Sequence, residues 1–120
     1  MSLTSKSKVN LTSKLTGDIM TIWAEGRVDS VNASFFRTEV LRHAREADVN
    51  VVLDLSELRY LSSAGIGALI VIARDIRARE LAVSLCRLSE PVRLTLELSG
   101  VDTIIPTAST HEEAVASFSS

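Results

Sequence analysis

A valine-rich run ahead of two adjacent serines places the strongest limit on how this chain can fold. Residues 49 to 55 form a short apolar segment rich in valine, which is typical of a strand covered on both faces. After Ser62 and Ser63, apolar residues recur at helical spacing to about Arg79. A buried strand that leads into an amphipathic helix predicts an α/β fold.

The segments around this unit extend the same alternation. Residues 9 to 15 alternate apolar with polar side chains, Gly17-Asp18 signals a turn, and residues 19 to 24 follow as a second strand of a hairpin. A helix over 33–47, capped by Ser30 or Asn32, comes next, and after the serine pair and its helix a strand is predicted over 82–86. A helix from Ser89 to Gly100 and an edge strand over 101–105 follow. Two capping boxes, Ser109 with Glu112 and Thr110 with Glu113, then open a final helix. The order β-β-α-β-α-β-α-β-α predicts one mixed sheet with right-handed crossovers.

Composition excludes several classes of protein. The 120 residues suit one domain, and a net charge of −2 gives no support to a nucleic-acid partner. The single cysteine, Cys86, excludes a disulfide framework or a Cys-rich metal site and fits a reducing cytoplasm. No apolar run approaches the roughly 18 residues that span a membrane. We therefore expect a cytoplasmic monomer without membrane contact, with residues 1–8 as a disordered polar tail.

The sequence contains no catalytic, cofactor or metal motif. Leu61 stands where a hydrolase elbow around Ser63 would need glycine, and the Gly65-Ile66-Gly67 segment lacks the third glycine of a dinucleotide loop. His43 and His111 are far apart in sequence, and both are expected at the surface. We expect a protein that is not an enzyme and holds neither metal nor cofactor.

The serine pair suggests a different kind of chemistry. A serine at a helix start lies beside N–H groups that have no intrahelical acceptor. The simplest role of Ser63 or Ser62 is to cap the helix. A phosphate is also tolerated at this place, because the free amides and the helix dipole favour added negative charge.

Five stretches, in order along the chain, resemble the STAS family, the domain of bacterial anti-sigma-factor antagonists. They are Gly26-Arg27-Val28-Asp29, Val52-Leu53-Asp54-Leu55-Ser56, Leu61-Ser62-Ser63-Ala64-Gly65-Ile66-Gly67, Leu98-Ser99-Gly100-Val101-Asp102 and Glu112-Glu113-Ala114-Val115. The resemblance implies a STAS domain over residues 9–118, with a small mixed sheet and about four helices packed mainly on one face.

The resemblance also implies a phosphorylation site. In the family, the acceptor lies two positions before the first glycine of the helix start, which is Ser63 here. Many members carry aspartate immediately before it, whereas this chain carries Ser62, a second possible acceptor. The implied partners are an anti-sigma factor that is itself a serine kinase of the GHKL ATP-binding type, and a PP2C-type serine phosphatase.

The docking surface implied by the family surrounds Ser63, on the loops from Gly26 to Asn32 and from Ser56 to Ser62. Asp29 and Asp54 match polar positions near the acceptor, and Tyr60 either docks a partner or closes the loop over the sheet. The full set of expected partner-binding residues is Asp29, Ser30, Asn32, Asp54, Glu57, Arg59, Tyr60, Ser62, Ser63, Ala64, Ile66 and Gly67. Glu57 and Arg59 have a simpler alternative as solvated charges.

Two functions follow as expectations. In the first, the unphosphorylated protein binds the anti-sigma factor, and phosphorylation of Ser63 releases it. In the second, the domain is a scaffold or a subunit of a transporter that is not phosphorylated and that binds a nucleotide or small ligand.

Overall fold

The structure, a computed structural model, describes residues 8–119, so all but Lys8 of the tail expected over residues 1–8 lies outside the described part. Its elements in chain order are β1 (Val9–Thr16), β2 (Ile19–Val28), α1 (Ala33–Ala44), β3 (Asn50–Leu61), α2 (Ser63–Ala78), β4 (Val83–Cys86), α3 (Glu90–Ser99), a 3₁₀ turn (Val101–Thr103), β5 (Thr107–Ala108) and α4 (His111–Ser117). The strands form one sheet in the order β1-β2-β3-β4-β5. The hairpin β1–β2 is antiparallel and the other pairs are parallel, which confirms the mixed sheet.

The helices divide unequally between the two faces of the sheet. Buried side chains of α1, α2 and α3 pack with strand residues such as Leu53 and Leu85 into the main core. A smaller cluster on the other face joins Val52 and Cys86 to Ala114 of α4. The expectation of helices mainly on one face is confirmed, because three of the four lie there.

The two central strands are longer than predicted. β2 continues past Ala24 to Val28, and β3 continues past Leu55 to Leu61, so the predicted loop over residues 56–62 is wrong. Two register shifts between these strands let the ladder continue through polar residues while still burying Leu58 and Leu61. The backbone of Ser62 continues the pairing by donating to the Val28 carbonyl at 3.0 Å.

The last strand lies later in the chain than predicted. Residues 101–103 form a 3₁₀ turn, so the edge strand predicted over 101–105 is wrong. The turn forms because Gly100 adopts a left-handed conformation (φ 80°) and its carbonyl accepts from the Thr103 hydroxyl at 2.6 Å. Pairing with β4 begins only at the Pro106 carbonyl, which accepts from Leu85 N at 2.9 Å.

The helix ends agree with the capping signals in part, since neither Asn32 before α1 nor Ser89 before α3 makes a side-chain capping bond. α1 ends at Ala44, three residues earlier than predicted, and α2 ends at Ala78. At α4, the second of the two capping boxes forms, because the Thr110 hydroxyl accepts from Glu113 N at 3.0 Å. The Glu113 carboxylate in turn accepts from Ser109 N at 3.1 Å.

Candidate functional site

The first turn of α2 gives the two serines different roles. Ser62 is the N-cap, with extended backbone (φ −85°, ψ 177°) and a hydroxyl that accepts from Gly65 N at 3.3 Å. Ser63 is the first helical residue and is exposed. Its hydroxyl has no hydrogen-bond partner within residues 8–119. The geometry thus assigns the cap, which the sequence left open between the two serines.

The backbone around Ser63 is suited to an anion. Gly65 N and Ile66 N are satisfied by Ser62, but the N–H groups of Ser63 and Ala64 have no acceptor in the part of the chain that the structure describes. They lie at the positive end of a 16-residue helix. A phosphate on the Ser63 hydroxyl would meet donors there rather than displace existing contacts.

The turn between β2 and α1 lies beside this helix start, since Val28 O accepts from Ser62 N. Asp29 Oδ1 accepts from two backbone N–H groups of the turn, at 2.9 and 3.3 Å. Asn32 is buried at 5% exposure; its Oδ1 accepts from Asp29 N and its Nδ2 donates to Arg27 O, both at 2.9 Å. Asn32 occupies the N-cap position of α1 without a side-chain capping bond. These two residues hold the shape of the turn.

A shallow groove separates the first turns of α1 and α2. Its cavity volume is about 430 Å³, and its lining residues are Ser30, Ala33, Ser34, Arg37, Ala64, Gly67, Ala68 and Val71. A Cβ added at Gly67 would meet nothing within 4 Å. Exposed apolar side chains lie on the same two helices and the turn before α1: Val31 (77%), Phe35 (55%) and Val71 (41%). We call this surface, together with Ser63, the helix-start face.

Asp54 does not join the helix-start face. Asp54 pairs in the ladder with Trp23, whereas the helix start adjoins Val28, five residues further along β2. At a strand rise of about 3.3 Å per residue, Asp54 therefore lies about 17 Å along the sheet from the start of α2. It is 1% exposed; one carboxylate oxygen accepts from Ser56 N and Oγ at 2.9 and 2.7 Å, and the other pairs with Arg87 at 3.4 Å. The expected place of Asp54 near the acceptor is therefore wrong, and its field at Ser63 is weakened by this distance and by its ion pair with Arg87.

Three more expected docking residues lie on the sheet, away from the groove. Glu57 and Arg59 line cavities with Asn10 of β1, and they form an ion pair at 3.3 Å. Tyr60 lies under the Arg27 guanidinium, 4.5 Å from ring centroid to Cζ. Sequence inspection missed this contact, although the ladder pairing of residues 27 and 60 produces it once both strands are extended. The expected set thus divides between two surfaces.

The histidines and the cysteine have packing roles. Both histidines are half-buried and so still reach the surface, and each also has a side-chain partner: His43 contacts the Ser13 hydroxyl at 2.6 Å and His111 the Thr21 hydroxyl at 2.8 Å. Cys86 is fully buried, and burial, reinforced by the nearby Asp54 carboxylate, raises the pKa of its thiol to about 12. Within residues 8–119, no three His, Cys, Asp or Glu side chains are grouped as metal ligands. No helix over these residues is long and apolar enough to cross a membrane.

Comparison with known proteins identifies the fold and the family. The protein-family model of the STAS domain matches residues 10–114. The chain belongs to the STAS family. One relative with a similar sequence is BtrV of Bordetella bronchiseptica, which is named as an anti-sigma factor antagonist. The two sequences are 36% identical over 94 residues, which cover 78% of this chain and 81% of BtrV. This STAS chain is thus a member of the anti-sigma factor antagonist family.

Solved structures agree with the STAS fold at lower sequence identity. An anti-sigma factor antagonist from Mycobacterium paratuberculosis superposes with a TM-score of 0.82 at 17% identity, over 95% of this chain and 97% of that one. The Bacillus cell fate determinant SpoIIAA, in its phosphorylated form, gives a TM-score of 0.63 at 20% identity, over 89% and 97% of the two chains. At these identities the similarity establishes the architecture of the STAS domain.

Proposed function

We propose that this STAS domain is a phosphorylation-controlled antagonist of an anti-sigma factor, acting in the cytoplasm, with Ser63 as the phosphate acceptor. The observation that supports this proposal most strongly is that the two serines differ in exposure and in hydrogen bonding. Ser62 is half-buried and caps α2, whereas Ser63 is exposed, and neither its hydroxyl nor the N–H groups of Ser63 and Ala64 have a partner among residues 8–119. SpoIIAA, which shares the fold, is known in phosphorylated and unphosphorylated forms.

The chemistry is transfer of one phosphoryl group. A serine kinase, which the family resemblance makes the anti-sigma factor itself, transfers the γ-phosphoryl group of ATP to Ser63 Oγ. The bond to ADP breaks, and the hydroxyl proton passes to a base of the kinase. A PP2C-type phosphatase reverses the state by hydrolysis, with water as the acceptor.

The phosphate acts by changing the charge of the docking surface. It adds about −1.5 to −2 charges and three acceptor oxygens to a helix start that already has free donors, so the domain itself remains folded. The carboxylate of Asp29 lies in the adjoining turn and pairs with Arg27 at 3.7 Å. A partner seated over Ser63 would have to desolvate the phosphate, and this cost releases it.

The helix-start face is the proposed docking surface. Among the residues expected from sequence, Ser30, Ser63, Ala64 and Gly67 lie on this face, and Ile66 is half-buried beside it. Asp29 and Asn32 support the face by holding the turn, and Ser62 supports it by capping α2. Asp54, Glu57, Arg59 and Tyr60 belong to the sheet surface and are not needed for docking in this proposal.

Phosphopeptide mass spectrometry after incubation with the cognate kinase and ATP tests the acceptor. We expect one phosphate on the wild-type protein and on Ser62→Ala, and none on Ser63→Ala. Phosphate that disappears only in Ser62→Ala would move the acceptor by one residue. No phosphate on any form, with a kinase active on a control substrate, would contradict the switch and favour the scaffold function.

A pair of tryptophan substitutions tests the docking surface. A Cβ at Gly67 meets no atom within 4 Å, so Gly67→Trp places its indole in the groove. We expect this variant, when unphosphorylated, no longer to bind the anti-sigma factor. The matched control is Ala78→Trp, an exposed position about 16 Å away along the same helix at 1.5 Å per residue. Equal binding by both folded variants would exclude the groove as the docking site.

A further inference from the structure

The outer edge of β1 has no pairing partner within residues 8–119. β1 is the first strand of the sheet and pairs with β2 over eight consecutive residues without a register shift. Thr16 and Ile19 close the two-residue turn, and Lys8 O accepts from Arg27 N at 2.9 Å, so the even-numbered residues direct their backbone groups to β2. The odd-numbered residues, from Val9 to Leu15, direct theirs outward.

This edge lacks most of the features that prevent strand addition. β1 contains no proline and no bulge, and Lys14 is its one charged residue. Leu15 is 49% exposed at one end of the strand, and Leu11 is half-buried near the middle. A long, regular and weakly charged edge is a template for another extended strand.

We propose that β1 pairs antiparallel with β1 of a second copy of this chain, about a two-fold axis through the Ser13 pair. Opposite residues of an antiparallel pair lie on the same face, so the sum of their numbers must be even in a symmetric pairing. With a sum of 26, the outward-directed Leu11 faces Leu15 of the second copy, and Leu15 faces its Leu11. Lys14 then lies opposite Thr12, so no lysine directly opposes a lysine.

The same register pairs opposite charges at both ends. When this register is continued past the strand ends, Lys8 lies near the turn residue Asp18 of the second copy, and Asp18 lies near its Lys8. Both residues are exposed, and neither belongs to an ion pair in the described part of the chain. Within one chain they are ten residues apart along the strand, about 30 Å, well beyond the screening length of about 10 Å. Lys8 and Asp18 can therefore attract each other only when they belong to different copies.

The pairing leaves the proposed phosphorylation site accessible. It differs from the sequence-based expectation of a monomer. Ser63 begins α2 after the carboxyl end of β3, which is separated from the outer edge of β1 by β2. Each copy then carries its own helix-start face. One strand pair buries less surface than the roughly 1,200–2,000 Å² of stable complexes, so we expect a dimer that dissociates in the micromolar range.

Sedimentation velocity on the full chain, from about 1 µM to 1 mM, tests the pairing with a charge-reversal cycle. We expect Lys8→Glu and Asp18→Lys each to weaken dimerisation about tenfold, because each creates two like-charge contacts. The double variant, with both charges exchanged, should return to within about threefold of the wild type.

Three results would overturn the proposal. They are a wild-type protein that stays monomeric over the whole range, a dimer that neither single reversal weakens, and a double variant whose loss equals the sum of the two single losses. Circular dichroism of each variant confirms that the fold is retained, since both positions are exposed.

Discussion

Two glycines of α2 separated by a single residue, Gly65 and Gly67, should respond in opposite ways to the same added methyl group. At Gly67, a Cβ would meet nothing within 4 Å. Alanine there removes the entropic cost of a helical glycine, about 0.5–1 kcal/mol, without a new contact. At Gly65, a Cβ would lie 2.5 Å from Leu61 Cδ1 and 3.0 Å from Val28 Cγ1, both in the buried core.

The clash at Gly65 exceeds the gain in helix propensity. Val28 is β-branched and stiff, and Leu61 is 3% exposed, so neither neighbour can move without disturbing a close-packed interior. Such overpacking costs about 1–3 kcal/mol, which leaves Gly65→Ala about 1–2 kcal/mol less stable than the wild type.

Thermal unfolding followed by circular dichroism measures both changes. At about 4 °C per kcal/mol for a domain of this size, Tm should rise by about 2–4 °C in Gly67→Ala and fall by about 4–8 °C in Gly65→Ala. Shifts of the same sign in both variants would refute the reasoning, because helix propensity alone predicts that both become more stable.

Three further perturbations address the supports of the site and the core. Asn32→Ala leaves the Arg27 carbonyl and a second backbone group of the turn without their side-chain partner, so chemical denaturation should show a loss of about 2 kcal/mol; no loss would mean that water replaces both bonds. Thr110→Ala removes the acceptor of the Glu113 N–H and should cost about 1 kcal/mol, whereas Thr110→Ser should cost little. Cys86, with its pKa raised to about 12, should resist iodoacetamide at pH 8 until the protein is unfolded, and stability should fall above pH 9 as the unfolded thiol ionises; rapid native alkylation would show that the site opens.

The alternation of strands and helices was predictable because the buried elements carry continuous or periodic apolar patterns. The valine-rich run that forms β3 and the helical spacing after Ser63 specify their structures locally, and both formed as predicted. The extra length of β2 and β3 was not predictable, because residues 56–60 are mostly polar. They are extended because two strands pair with each other across register shifts, which depends on the partner strand.

The start of α2 was predictable to within one residue, but the positions of the residues around it were less so. Either serine can cap a helix, and the choice of Ser62 depends on its backbone bond to Val28, a contact between distant segments. The position of Asp54 was predicted wrongly because residues 56–62 were predicted to form a loop. A strand that extends to Leu61 carries the carboxylate far from the helix start, whereas a loop could have folded back toward it.

The affinity of the protein for its cognate anti-sigma factor, with and without phosphoserine at position 63, tests the central claim most directly. Phosphoserine incorporated during translation provides the uniform modification, and phosphoserine at exposed Ser109, just before α4, is the control for added charge. We predict tight binding by the unmodified and Ser109-modified proteins, and binding at least about 100-fold weaker with phosphate on Ser63, equivalent to about 2.7 kcal/mol. Equal affinity of all three forms would contradict the account.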